Sequence, residues 1–324
     1  MRLVTFEVAS VLGPVRRGGA LLGEHIVDLS LARAADLGAR PRAVEIAAAE
    51  IPTDMCEFLA GGSWALDTAR AAVEHVEAAG VEDLGGRRVR HHRDDVRLIA
   101  PLPRPTSLRD YMVVEEHVRN CVDAGVLAGI PPAWFEVPAH YKGNVDAIYG
   151  PDDLVPWPSY TDKLDYELEI CAVIGTGGRA IRAEDAGAVI AGYTIYNDWS
   201  ARDIQGQEMS VGIGPGIAKD FASSIGPCIA TPDEFDRDHA HLEARVDGEV
   251  WSQGVLGSMH FSFEQIIEYT SREATLQPGD LLGSGTVGRG CGLELGRWLR
   301  EGCTVELEAE GIGVLRNRVG SRSR

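Results

Sequence analysis

Apolar and polar residues alternate over several short stretches, and alternation with a period of two predicts strands. MRLVTFEV and HIVDLS have this texture, with Gly13, Gly18, Gly19 and Gly23 marking turns between them. Residues 1 to about 50 are therefore expected to be short strands and turns. TDMCEFLAGG and SWALDTARAAVEHVEAAG, within 53–80, read instead as helices that stop at Gly80. The proline-rich RLIAPLPRPTSLRD marks the entry into a second domain. This divides the chain into a small N-terminal accessory domain, 1–95, and a main domain, 96–324. Residues 111–128 predict a helix, followed by the proline- and aromatic-rich IPPAWFEVPAHYKGN. After 150 strands dominate: DYELEICAVIG, AGYTIYNDWS, SSIGPCIATP, LEARVDGEVW, DLLGSGTVG and TVELEAEGIGVLRNRV. RAEDAGAVI and SFEQIIEYTSR are the best helix candidates between them. The expected fold class is mostly β with flanking helices (α+β), a twisted sheet or rolled barrel.

Composition narrows the function. The chain has 324 residues, enough for a large domain plus a small one. No apolar run is long enough to predict a membrane span. The opening residues lack the layout of a signal peptide. Six cysteines occur without a CxxC pair, which suits a reduced, cytoplasmic setting. A net charge of −18 argues against a nucleic-acid partner. It also repels anionic substrates at long range, so an anion must be attracted locally, by a bound cation or a few buried bases. The basic residues from Arg316 to Arg324 read as a solvated end.

The candidate chemistry lies in LDYELEI at 164–170. In a strand, Leu164, Tyr166, Leu168 and Ile170 share one face, suited to a core. Asp165, Glu167 and Glu169 share the other. Residues two apart in a strand are separated by about 7 Å, so Glu167 and Glu169 can converge on one ion. A solvated charged face is the plain alternative for any ExE. The apolar flanks ICAVIG and AGYTIYN argue for burial, and Asp198 ends an apolar strand nearby. Two carboxylates about 4 Å apart repel by about 4 kcal/mol at an effective dielectric near 20, so a buried cluster needs a cation or a proton. Oxygen ligands favour a hard ion: Mg²⁺, Mn²⁺ or Ca²⁺.

DYELEICAVIG, YNDWSARDIQ, KDFASSIGP, RVDGEVW, FSFEQIIEY and LQPGD with GSGTVG follow one another as in the fumarylacetoacetate hydrolase family. The chain resembles that family over about 106–315. The resemblance implies the family's β-roll catalytic domain after a small N-terminal domain, usually as a homodimer. It implies metal ligands at Glu167, Glu169 and Asp198, with Asp110 as the fourth. It implies a general base at His117, seven residues after Asp110, oriented by Glu294 of GLELGRW. Gln205 and Lys219 match positions that hold substrate and steady negative charge. Tyr141 matches a substrate-contacting tyrosine, Arg202 an arginine of the DWSARD stretch, and Thr286 a residue at the pocket edge.

Two departures matter. Asn120 stands where other branches complete a His-x-x-Glu pair. Val126 stands where fumarylacetoacetases carry an arginine, a role that Arg119 is the candidate to fill. The implied function is a divalent-metal-dependent hydrolase that cleaves a C–C bond in a diketo acid, with the metal stabilising the enolate. The alternatives are a 2-oxo acid decarboxylase, hydratase or tautomerase on the same site, or a non-catalytic homologue that binds metal or oxo acid.

Overall fold

The computed structural model describes residues 1–322. The strand that carries the candidate carboxylates, Leu168–Ile174, is buried along its whole length. Alternation divides its two faces between separate cores. Leu168, Ile170, Ala172 and Ile174 join Leu164 and Tyr166 in one apolar cluster with Leu242, Ala244, Val305 and Leu307. Cys171 and Val173 enter the other, with Ala69, Ala72 and Val76 of the helix Gly62–Ala79. A strand covered on both faces reads as a nearly continuous apolar run, as this one does.

Two sheets form the body of the molecule. The twelve-stranded sheet has a ten-strand path from Arg90–His92 through His25–Asp28, Val15–Leu22 and Arg2–Val8 to Ser223–Ala230. It continues through Ile190–Asn197, Leu168–Ile174, Asp280–Gly283 and Ser107–Tyr111 to His140–Lys142. The five-stranded sheet runs Leu154–Trp157, Gly313–Arg322, Thr304–Ala309, His241–Val246, Glu249–Val255. Neither path closes, so the α+β architecture is an open, sheet-dominated roll among the described residues. One sheet crosses the boundary expected near residue 95. Arg2–Val8 pairs with Ser223–Ala230 on one side and with Arg97–Ile99 at its far end.

Three local expectations are corrected. Residues 29–50 are not strands and turns: Leu29–Asp36 and Ala43–Glu50 are helices. Asp28 caps the first by accepting a hydrogen bond from the Leu31 amide, a signal present in the sequence. The helix expected over 111–128 is shorter, Glu115–Asp123, because Ser107–Tyr111 is drawn into the sheet as a parallel neighbour of Asp280–Gly283. The basic end is not solvated chain through Arg322. Gly313–Arg322 pairs on both edges and buries Leu315, Asn317 and Val319; Ser323 and Arg324 lie outside the described residues.

Candidate active site

Three neighbouring strands assemble the carboxylates. Asp110 is the penultimate residue of Ser107–Tyr111 and lies opposite Gly283 in register, while Glu169 faces Tyr196 across the Leu168–Ile174 and Ile190–Asn197 pair. Asp198 follows immediately after Asn197. One oxygen from each of Asp110, Glu169 and Asp198 lies within 4.8 Å of the others. All are buried. Gly283 makes the approach possible: a Cβ there would stand 2.5 Å from Asp110 Oδ1 and 3.3 Å from Glu169 Oε2.

The fit to a hard cation can be read from what these groups lack. Asp110 Oδ1 and Glu169 Oε2 are buried without a hydrogen-bond partner, an arrangement that costs free energy unless something positive or protonated sits between them. Burial, with the charge of Asp198, pushes Asp110 up to about 7. Burial and the neighbouring Asp110 push Glu169 well above the usual carboxylate range. Asp198 is also raised, chiefly by burial, although Lys219 opposes this. Oxygen donors left unpaired and reluctant to ionise alone suit Mg²⁺, Mn²⁺ or Ca²⁺.

Glu167 is placed differently from the other three. The strand breaks before it: Leu164–Asp165 pairs with Ser200–Ala201, and Leu168 begins the next strand. Its carboxylate accepts hydrogen bonds from Arg202 Nη2 at 2.7 Å and from Lys219 Nζ at 2.5 Å. Lys219 Nζ also donates to Asp198 Oδ2 at 2.5 Å, so one ammonium separates Glu167 from the cluster. Burial works against ionisation of Glu167, but Arg202, Lys219 and His117 outweigh it and hold the group well below the usual range.

The fold brings His117 and Glu294 together. His117 Nδ1 is 2.7 Å from Glu294 Oε1, and both side chains are buried. Glu294 Oε2 accepts from Asn120 Nδ2 at 2.6 Å and from the Arg289 amide at 2.7 Å. Burial opposes charge on His117, but contacts with Cys121, Cys291 and Glu294 prevail and hold the imidazole well above its ordinary value. Tyr141 donates to Asp198 Oδ1 at 2.7 Å and Thr286 to Glu169 Oε1 at 3.2 Å. Gln205 lies one turn from Arg202, and its carbonyl accepts from Arg202 Nη1 at 3.0 Å. Arg119 does not turn toward the site; it pairs with Glu115 on the exposed side of its helix.

Asp165 is the residue whose role was not foreseen. It accepts from Arg202 Nε at 2.8 Å, from the Gly292 amide at 2.7 Å and from the Leu293 amide at 3.0 Å. It thus ties the arginine that holds Glu167 to the turn that carries Glu294. The signal was its place on the same strand face as Glu167 and Glu169. Its partners, 37 and 127 residues away, are beyond any local pattern.

Comparison with known proteins agrees with this frame. The family model for the fumarylacetoacetate (FAA) hydrolase C-terminal domain matches residues 108–320. Oxaloacetate tautomerase YisK of Bacillus subtilis (strain 168) is 31% identical over 274 residues, covering 83% of this chain and 87% of that protein. Mitochondrial oxaloacetate tautomerase FAHD2A of Homo sapiens is 30% identical over 326 residues, covering 98% of this chain and 91% of that protein. Among solved structures, the fumarylacetoacetate hydrolase of psychrophilic Exiguobacterium antarcticum aligns with a TM-score of 0.69 at 25% identity, over 99% of this chain and all (100%) of that one. Maleylpyruvate hydrolase from Sphingobium sp. SYK-6, in complex with manganese (II) ion and pyruvate, aligns over 100% of both chains with a TM-score of 0.71; at 20% identity it speaks to the fold alone. With about two thirds of its length matched to the family's catalytic domain, the chain belongs to the fumarylacetoacetate hydrolase family.

Proposed function

We propose that this protein is a divalent-metal-dependent hydrolase that cleaves a C–C bond in a small diketo acid of fumarylacetoacetate- or acylpyruvate-like chemistry. The observation that carries the reading is the buried His117–Glu294 pair, 2.7 Å apart. A histidine oriented and made more basic by a carboxylate is suited to take a proton from water. Asp110, Glu169 and Asp198 would hold the ion, with Glu167 joining if Lys219 moves from between it and Asp198. When bound, Mg²⁺, Mn²⁺ or Ca²⁺ supplies Lewis-acid polarisation of the substrate oxygens.

The remaining roles belong to the chain. His117 Nε2 takes the proton from the attacking water, and Glu294 steadies the resulting imidazolium through Nδ1. The Lys219 ammonium and Tyr141 hydroxyl are donors aimed at the carboxylate end of the site, able to turn toward negative charge on substrate. Gln205 spends its carbonyl on Arg202, which leaves its amide N–H groups to donate. Thr286 holds Glu169. The reading includes the homodimer that the resemblance implies, which sedimentation equilibrium would test.

A second reading, keto–enol tautomerisation of a 2-oxo dicarboxylic acid, is favoured by the names of the two curated relatives. In it the same imidazole moves a proton at carbon rather than from water. Turnover of acylpyruvates and oxaloacetate with Mg²⁺ in ¹⁸O-labelled water separates the two. Hydrolysis places one solvent oxygen in a product carboxylate. Tautomerisation places none, and in deuterated water it exchanges the carbon-bound hydrogen. Absence of both results with all substrates contradicts the enzymatic assignment.

A further inference from the structure

We propose that His117 Nδ1, Cys291 Sγ and Glu294 Oε1 form a second cation site, selective for a thiophilic ion such as Zn²⁺ and separate from the oxygen cluster. One donor atom from each of the three residues lies within 4.8 Å of the other two. Cys291 Sγ is 3.3 Å from Glu294 Oε1, which in turn is 2.7 Å from His117 Nδ1. Zinc bond lengths of roughly 2.0–2.3 Å in a tetrahedron require donors about 3.3–3.7 Å apart. The sulfur–oxygen pair already has this spacing, and the His117–Glu294 pair must open by only about 0.6 Å. Imidazole, thiolate and carboxylate together select zinc-like ions, whereas the all-oxygen cluster selects hard ones.

The outer contacts are also arranged for a metal. A ligating histidine normally directs its other ring nitrogen at a partner, and ligating carboxylates are held from behind. Here Cys121 Sγ lies 3.6 Å from His117 Nε2. Asn120 and the Arg289 amide hold Glu294 Oε2, leaving Oε1 directed at the shared point. The Cys291 turn is fixed by the Gly292 and Leu293 amides on Asp165. Both Cys121 and Cys291 are free thiols and buried.

Binding releases the Cys291 thiol proton to solvent. It also displaces the proton between His117 and Glu294, so the neutral imidazole must carry its proton on Nε2. If His117 is the general base of the proposed function, that tautomer cannot accept a proton from water, and zinc inhibits even when the oxygen cluster is filled.

The test uses the full-length protein, stripped with EDTA and saturated with Mg²⁺, then titrated with Cd²⁺ or Zn²⁺. We expect one equivalent of Cd²⁺ to give thiolate-to-metal ultraviolet absorption, lost in Cys291→Ser and Cys291→Ala. Turnover should fall in step, and each variant, measured against its own turnover without zinc, should need at least tenfold more Zn²⁺ for the same fractional inhibition. Absence of thiolate absorption in the unaltered protein overturns the site, as does equal absorption in Cys291→Ser. Absorption that requires Cys291 but leaves turnover intact confirms the site and overturns the assignment of His117 as the base.

Discussion

Replacing Asp110 with asparagine should make the metal-free protein more stable while destroying its response to Mg²⁺. An ordinary aspartate ionises near 3.8, and here burial and Asp198 push the group up to about 7. The sign follows from proton counts. Between these values the unfolded chain releases the proton and the folded chain keeps it, so stability falls as pH rises and levels off above about 7. At about 1.4 kcal/mol per pH unit, the gap amounts to about 4 kcal/mol at pH 8 and to less than half of that at pH 5. An asparagine carries no such cost, and its amide can donate to the unpartnered Glu169 Oε2. With an unfolding entropy of about 2.1 cal/mol/K per residue over 324 residues, the gain corresponds to about 6 °C in Tm at pH 8 and about 2 °C at pH 5. Thermal unfolding of both proteins in EDTA measures it. In Mg²⁺ at a hundred times its Kd, the unaltered protein should gain about 2.7 kcal/mol and Asp110→Asn almost nothing. A variant less stable than its parent in EDTA at pH 8, or a gap that widens toward acid, refutes the reasoning.

Other perturbations separate the parts of the site. Gly283→Ala drives a Cβ to within 2.5 Å of Asp110 Oδ1 and should weaken Mg²⁺ binding at least tenfold by calorimetry, with the fold intact by circular dichroism. His117→Ala should lower kcat by about 10²–10⁴ while leaving Mg²⁺ affinity within a few-fold, a split that steady-state kinetics and calorimetry together resolve. Because His117 is held well above its ordinary value, its proton-accepting form appears only on the alkaline side, so kcat should rise with pH. Glu294→Gln removes support for the imidazolium and should move that rise to lower pH while reducing kcat; an unmoved profile contradicts the pairing. Lys219→Met leaves Glu167 and Asp198 without the ammonium between them and should cost about 3–5 kcal/mol in urea unfolding of the metal-free protein.

The strand pattern around Glu169 already divided its neighbours correctly. Leu164, Tyr166, Leu168 and Ile170 do share one core, and the acids opposite them are buried rather than solvated. Period-two alternation survives because each face of that strand meets its own apolar layer. The break at Tyr166–Glu167 was not legible, because it arises from pairing with Ser200–Ala201 and from a hydrogen bond that the Glu167 amide donates to Asn197 Oδ1. Nor was the attachment of Glu167 to Arg202 and Lys219, which depends on the start of one helix, Arg202–Met209, and a second short helix, Ile217–Asp220, brought together by tertiary packing. The meeting of Asp110 with Glu169 rests on Gly283 in a strand more than a hundred residues away from either. Asp110, His117 and Glu294 were singled out through the family resemblance alone, since they lie on a strand, a helix and a distant short helix that no local pattern relates. The two N-terminal helices were missed for a different reason: HIVDLS continues a strand pattern through Asp28, which is in fact the cap of the next helix.

The central claim is that the buried oxygens of Asp110, Glu169 and Asp198 bind a hard divalent ion. A crystal of the protein soaked in Mn²⁺, with anomalous diffraction recorded at the manganese edge, tests it directly. The account predicts one strong anomalous peak among those three carboxylates, within bonding distance of an oxygen from each. No peak there at saturating Mn²⁺, or a peak only at another place in the molecule, contradicts it.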